Sequence, residues 1–417
     1  MSLLSHLECC LCAKVYRPDE VRYVCPACGP DGLLDVHYDY AAAGASLTPE
    51  RLRRDPTRGI SRYAAVLPVR ELEDFSPVSV GATPLTPAVR LGRDLGLTRL
   101  SIKEDNRNPT GSFKDRASAV ALAHARGLGE RIITGASTGN AASSLAGLAA
   151  AVGLTTVIFV PRRAPLAKVT QLLIFGAHVL MVEGSYDDAC DLCLEATRRY
   201  GWYNRNTGYN PMCLEGKKTV SLELWEDLAY DVPDAVLVSV GDGCIIGGIG
   251  KGFADLVRMG LARRMPRLYG VQAEGSSVLA RAYRGGGKVV AEPQAATMAD
   301  SICVGYPRAA AQALRAVRES AGDFVVVTDA AIMEAQTRLA RGTGVFAEPA
   351  GAAAAAGLFR LVEEGRIGRD ERVVVVVTGS GLKDIETAMK AVSSSPIPVP
   401  RDPVHLEEAL RRVAGLL

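Results

Sequence analysis

Asn108-Pro109-Thr110-Gly111-Ser112-Phe113-Lys114-Asp115-Arg116 sets a single lysine between a turn and an apolar helix. Upstream, Leu100-Ser101-Ile102-Lys103 reads as a short strand, and Asn-Pro followed by Thr-Gly marks the turn. Downstream, residues 117–125 are alanine-rich and helix-prone, which puts Lys114 in a first helical turn where unpaired backbone N–H groups point outward. Such a helix start favours anions and depresses the pKa of a neighbouring ammonium. Both effects suit a lysine that condenses with a phosphorylated aldehyde. Taken alone, the stretch reads equally well as a surface lysine in a charged first turn.

Three further stretches repeat the strand-turn-helix order. Ser137-Thr138-Gly139-Asn140 lies between the β-prone Ile132-Ile133-Thr134 and a helix-prone run at 141–151. Gly241-Asp242-Gly243-Cys244-Ile245-Ile246-Gly247-Gly248 follows the apolar run at 236–240. The valine run at 373–377 ends in Thr378-Gly379-Ser380-Gly381-Leu382-Lys383-Asp384. A glycine loop alone is weak evidence of function, whereas lysine, asparagine, glycine loop and hydroxyl in this order are far more specific.

With 417 residues, 48% of them hydrophobic and 23% charged, the chain has the composition of a globular protein of two or three domains. A formal net charge of +2 gives no electrostatic case for nucleic acid. The longest apolar runs, at 141–151 and 350–358, are too short to span a membrane, and no basic-then-apolar signal opens the chain. The expectation is therefore a cytoplasmic protein whose ten cysteines are thiols or metal ligands.

Four of those cysteines form two knuckles, Cys9-x-x-Cys12 and Cys25-x-x-Cys28, with zinc-ribbon spacing. Four thiolates would fill a tetrahedral zinc and leave no place for water, so the site would be structural, and the metal would stabilise a segment too short for a core of its own. Cysteines left from a lost site are the alternative, and Cys10 is an alternate ligand. Cys190 and Cys193 fall in a helical pattern at 186–199 and read as core residues.

The resulting division is a zinc-ribbon-like segment at 1–40, a connecting arm at 41–80 with one short helix around 48–54, a catalytic region at 81–395, and a connector with a final helix at 396–417. Short apolar strands alternating with helices from residue 81 onward predict an α/β fold with parallel sheets covered on both faces. The pattern repeats on either side of residue 210, which predicts two doubly wound lobes with the ligand in the crevice at the carboxyl ends of the strands. The amphipathic run at 404–416 is expected to dock on the body or on a partner subunit.

Asn-Pro-Thr-Gly-Ser-Phe-Lys-Asp-Arg, Ala-Ser-Thr-Gly-Asn, Glu215-Gly216-Lys217-Lys218-Thr219 and Thr-Gly-Ser-Gly-Leu-Lys-Asp, in that order, resemble the threonine synthase family of fold-type II pyridoxal-phosphate enzymes. The similarity runs over roughly residues 80–390. It implies two tryptophan synthase β-like lobes, a pyridoxal phosphate cofactor, an amino-acid substrate and a homodimer; several members carry an amino-terminal ribbon. Pyridoxal phosphate needs an amine, a phosphate cradle and partners for its ring oxygen and ring nitrogen. The resemblance assigns the amine to Lys114, beside Phe113, and the cradle to Gly241, Asp242, Gly243, Cys244 and Ile245, where small residues let backbone N–H groups wrap a phosphate. The Asp242 carboxylate is expected to point away from that dianion. Asn140 would serve the ring hydroxyl, or cap its helix, or both. Thr378 would face the ring nitrogen as a neutral partner.

Ser137, Thr138 and Gly139 would meet the substrate carboxylate. The lysine would serve as general base once displaced by substrate. Threonine synthases act on O-phosphohomoserine, which requires a second anion subsite. Arg116, Lys217, Lys218, Asn206 and Asn210 are the candidates, each of them equally readable as a solvated or turn residue. Where many threonine synthases carry arginine, this chain has Cys213, which offers phosphate almost nothing. Replacement or elimination on O-phosphoserine or a related amino acid, as in cysteate synthase-like enzymes or threonine and serine dehydratases, is the nearest alternative. A non-catalytic scaffold is a third, against which the retention of Lys114, Asn140 and Thr378 speaks.

Overall fold

The computed structural model describes residues 2–411 and 413, apart from 163, 165 and 393–395. Strands β1 (Leu4–Cys9), β2 (Val15–Tyr16) and β3 (Leu34–Tyr38) form a small antiparallel sheet, in order β2-β1-β3. It is followed by β4 (Leu85–Pro87), β5 (Arg99–Glu104), β6 (Ile132–Ala136), β7 (Thr155–Pro161), β8 (His178–Val182), β9 (Tyr203–Asn204), β10 (Ala235–Ser239), β11 (Arg267–Ala273), β12 (Asp323–Val327) and β13 (Arg372–Val377). These build a six-stranded sheet, β12-β11-β10-β13-β5-β4, and a four-stranded sheet, β8-β7-β6-β9. All pairings in the two large sheets are parallel except β4 with β5.

The valines of β13 are buried on both faces, which is why its sequence shows no alternation. The alanine-rich helix Pro349–Glu363 lies against this sheet so closely that a Cβ on Gly357 would come within 2.3 Å of Val271 Cγ2. Small residues there serve close helix-to-sheet approach. No described helix is long and apolar enough to cross a membrane.

The two lobes do not divide at residue 210. β4 and β5 join the larger sheet, where β5 pairs with β13, and the smaller sheet is inserted between β5 and β10 in the chain. Strand order in a parallel sheet is set by crossovers, so a repeat in chain order cannot reveal it. The stretch 41–80 carries two helices, Tyr40–Ser46 and Pro49–Arg54, and two 3₁₀ turns, Ile60–Val66 and Leu72–Asp74, where one helix was expected. Of the expected helix at 404–416, the structure gives a 3₁₀ turn, Pro403–His405, and a helix, Leu406–Arg411; residues 412 and 414–417 lie outside the described residues. Residues 393–395, at the end of the expected catalytic region, also lie outside them.

The amino-terminal sheet is docked on the body by polar contacts. Tyr38 Oη donates to Glu215 Oε2 at 2.7 Å, Tyr40 Oη donates to Asp255 Oδ1 at 3.0 Å, and Asp35 accepts from Gln312 and Arg315 at 2.6 Å each.

Candidate active site

Lys114 is the first residue of the helix Lys114–Gly127. Gly111, at φ +78°, turns the chain, and Asp115 ties turn to helix by accepting from the Thr110 backbone N–H at 2.7 Å and its hydroxyl at 2.6 Å. The same turn is stitched to the end of β13: Phe113 N–H donates to the Thr378 carbonyl at 2.9 Å and Ser380 N–H to the Gly111 carbonyl at 2.9 Å. Helix position is also set from behind. The helix Met212–Asp227 crosses at Gly216, where a Cβ would lie 2.0 Å from the Arg116 carbonyl oxygen.

These elements place Lys114 in the wall of a cavity of about 770 Å³ between the two large sheets, at the carboxyl ends of β6, β10 and β13. The amine has no hydrogen-bond or ion-pair partner among the described residues. Burial, followed by the charges of Lys217 and Arg205, lowers its pKa to about 8. Desolvation and neighbouring cations are thus the leading causes of the depressed value.

Gly241, Asp242, Gly243, Cys244 and Ile245 line the same cavity between β10 and the helix Cys244–Arg258. Gly243 caps that helix at φ +88° and offers no side chain to its first N–H groups. A Cβ on Gly241 would lie 2.8 Å from Ile302 Cα. A loop this closely held, with a bare helix N-terminus, is a cradle for an anion. Asp242 is turned to protein partners, its carboxylate accepting from Arg308 N–H at 2.6 Å and from the Cys244 thiol at 3.3 Å, and burial raises its pKa.

Ser137, Thr138, Gly139 and Asn140 line the cavity after β6. Asn140 begins the helix Asn140–Ala150, and Gly139 holds the cap position, with no side-chain cap. The Asn140 amide donates instead to Glu348 Oε1 at 2.8 Å and Oε2 at 3.1 Å. Glu348 itself is buried, and burial raises its pKa. Thr378 also lines the cavity, with no partner for its hydroxyl among the described residues. A free amine, a glycine cradle and a free hydroxyl around one cavity match what pyridoxal phosphate requires.

Several expected residues do not reach this cavity. Phe113 is fully buried in the core and contributes only its backbone link to Thr378. Arg116 is also fully buried, held by Asp105 at 2.6 Å and Glu223 at 2.7 Å. Lys218 is held by Glu215 at 2.6 Å and Asp255 at 2.8 Å, under the ring of Tyr38. Their charges are spent on internal carboxylates, so neither forms a substrate subsite. Asn210 donates to the Asn204 carbonyl at 2.8 Å and accepts from Met212 N–H at 2.9 Å, as a turn residue. Cys213 is buried with its thiol on the Arg205 carbonyl at 3.2 Å.

In their place the cavity receives Arg205 and Arg308, which the sequence reading did not single out, together with Asn206. Arg205 is buried, bonds Ser118, Thr207 and the Lys114 carbonyl, and has no carboxylate partner among the described residues. No local motif marks these arginines; a buried cation without a carboxylate is visible only in the folded chain.

At the other end of the chain, the Sγ atoms of Cys9, Cys12, Cys25 and Cys28 all lie within 4.8 Å of one another, and Cys25 also meets Tyr16 Oη at 3.0 Å. Cys10 is outside this group; burial pushes its thiol up to about 12. Cys190 and Cys193 lie buried in the helix Tyr186–Tyr200.

A family model described as "Pyridoxal-phosphate dependent enzyme" matches residues 78–379. The chain is 38% identical to a threonine synthase of Methanocaldococcus jannaschii over 408 residues, covering 97% of this chain and 99% of that one. The chain belongs to the threonine synthase family. A Methanosarcina acetivorans threonine synthase is 40% identical over 388 residues, 92% of this chain and 93% of the relative. Among solved structures, threonine deaminase isoform 2 of Solanum lycopersicum matches with a TM-score of 0.65 and 24% identity, covering 76% of this chain and 89% of the other. That likeness speaks for the fold alone. Within the family the chain is a pyridoxal-phosphate-dependent lyase.

Proposed function

We propose that this enzyme converts O-phosphohomoserine and water to threonine and phosphate. The observation that carries the reading is near-full-length identity to threonine synthases, joined to a partnerless lysine amine in the cavity wall. Pyridoxal phosphate, when bound, supplies the electron sink that makes the substrate's α-proton removable. Lys114, Gly241, Gly243, Cys244, Ile245 and Thr378 would hold it, with Asn140 and Glu348 beside them. The Lys114 amine, with a pKa near 8, takes the proton from the α carbon and returns protons along the chain. Ser137, Thr138 and the N–H groups around them receive the substrate carboxylate. Arg205 and Arg308 are the cations available for the substrate phosphate.

Cys9, Cys12, Cys25 and Cys28 are read as holding one structural zinc, on the strength of four converging thiols. A homodimer in the cytoplasm completes the proposal. Cys213, where the family pattern has arginine, favours a second reading in which a shorter phosphorylated amino acid such as O-phosphoserine is the substrate. Turnover of O-phosphohomoserine, O-phosphoserine with sulfite, threonine and serine, read by product mass, separates the two. Threonine formed from O-phosphohomoserine alone is expected. An enzyme that ignores this compound and consumes O-phosphoserine would overturn the assignment.

A further inference from the structure

Lys217 is 1% exposed, on the helix Met212–Asp227. Of the other cations buried in this part of the core, Lys103 is matched to Glu223 and Asp227, Arg116 to Asp105 and Glu223, and Lys218 and Lys251 to Glu215 and Asp255, while Arg205, without a carboxylate, is held by Ser118, Thr207 and the Lys114 carbonyl. Lys217 has neither an ion pair nor a hydrogen bond among the described residues. A buried ammonium left in this way is costly, and the cost points to a missing anion.

The place of that anion is given by the packing. Lys217 lines a small cavity of about 20 Å³ with Cys244, Cys213 and Gln312. Cys244 is also in the wall of the large cavity and opens the helix Cys244–Arg258, whose N-terminal N–H groups Gly243 leaves uncapped. One turn on, a Cβ on Gly248 would lie 2.6 Å from Lys217 Cβ, so the glycine is what lets the lysine stem lie across the start of that helix. The positive charge is felt at Cys244, Asp242 and Lys114, which surround the same loop.

We propose that Lys217 is the buried counter-ion of a phosphate dianion seated on the first turn of the helix Cys244–Arg258, and that this phosphate is the cofactor's. An uncapped helix start and a buried, unpaired ammonium are independent features that converge on one ligand. The inference rests on the cofactor assignment above and extends it to a residue outside the glycine loop.

The test compares wild type with Lys217→Met and Lys217→Arg, titrated with pyridoxal phosphate and, separately, with pyridoxal, which lacks the phosphate. Losing a charged hydrogen bond to phosphate should weaken pyridoxal phosphate binding in Lys217→Met by roughly 10- to 100-fold, with pyridoxal affinity held and part of the loss recovered in Lys217→Arg. A second readout has the opposite sign. Without phosphate, Lys217→Met should melt at or above wild type, because an unpaired buried charge has been removed. Equal losses for the two ligands would make Lys217 merely structural and overturn the proposal, as would a Lys217→Met variant with wild-type affinity for pyridoxal phosphate. If Lys217→Met fails to fold, Lys217→Gln carries the same comparison. A rise confined to the KM for O-phosphohomoserine would assign the phosphate to substrate and equally refute it. Wild-type protein that binds neither pyridoxal compound would instead sink the cofactor reading beneath it.

Discussion

Arg116→Met distinguishes a structural arginine from a substrate-binding one. The guanidinium makes hydrogen bonds to Asp105 at 2.6 and 2.8 Å, to Glu223 at 2.8 and 2.7 Å, to Thr219 at 3.0 Å and to Thr83 at 3.2 Å, all buried. Methionine restores volume, takes the guanidinium from Asp105 and leaves Glu223 with Lys103 alone, and breaking a buried pair from one side costs about 3–5 kcal/mol. With an unfolding entropy of about 2.1 cal/mol/K per residue, this amounts to roughly 3–6 °C in the melting temperature of a chain this size unfolding as one unit. The deficit should depend on pH. Burial pushes Glu223 up, but the charges of Arg116 and Lys103 outweigh it and hold the carboxyl at about 2 against an ordinary 4.5. In wild type its contribution is therefore complete above 4.5 and lost as pH falls through 2. In the variant Glu223 keeps only Lys103, so its carboxyl titrates higher than in wild type and less stability is lost on acidification, and the two melting curves should converge. Differential scanning calorimetry across pH and the KM for O-phosphohomoserine decide the matter. A variant that melts like wild type but needs tenfold more substrate would refute the structural reading and return Arg116 to the substrate subsite.

The Lys114 amine, at about 8, should make capture of pyridoxal phosphate by the apoprotein rise with pH through 8 and flatten above it, followed by visible absorbance. Because its folded pKa lies below the ordinary 10.5, the apoprotein should lose stability as pH falls from 10.5 to 8 and no more from this group below that. A capture midpoint near 10, or borohydride-reduced cofactor recovered on a peptide without Lys114, would refute the assignment. Metal analysis should give about one zinc per chain, falling to none in a Cys25→Ser, Cys28→Ser double variant that keeps its cofactor absorbance; unchanged zinc in that variant would exclude the four-thiol site.

That Lys114, the Gly241–Ile245 loop and Thr378 would line one cavity was legible because each follows a β-prone run, and a turn after a strand is written within about ten residues of sequence. Arg116 and Lys218 were misread because charge on its own does not reveal burial. Beside the local partners Asp105 and Glu215, each has a distant one: Glu223 lies 107 residues from Arg116 and Asp255 37 from Lys218, and these meet only through helix packing. Glu348 escaped for the same reason, since 208 residues separate it from Asn140. The lobe boundary was misplaced because β5 finds β13 across most of the chain, a pairing that no local pattern encodes.

The docking of the amino-terminal sheet has a consequence in time. Tyr38 waits for Glu215, 177 residues later, Tyr40 for Asp255, 215 later, and Asp35 for Arg315, 280 later. Closing a longer loop costs only about 0.6 kcal/mol per doubling, so equilibrium scarcely registers these distances. A ribosome does. At about 5–20 residues per second, the sheet and its thiols stand without their seat for roughly ten seconds to a minute. The sheet is made well before the residues that seat it, and its period of greatest exposure to oxidants and proteases comes before the cavity exists.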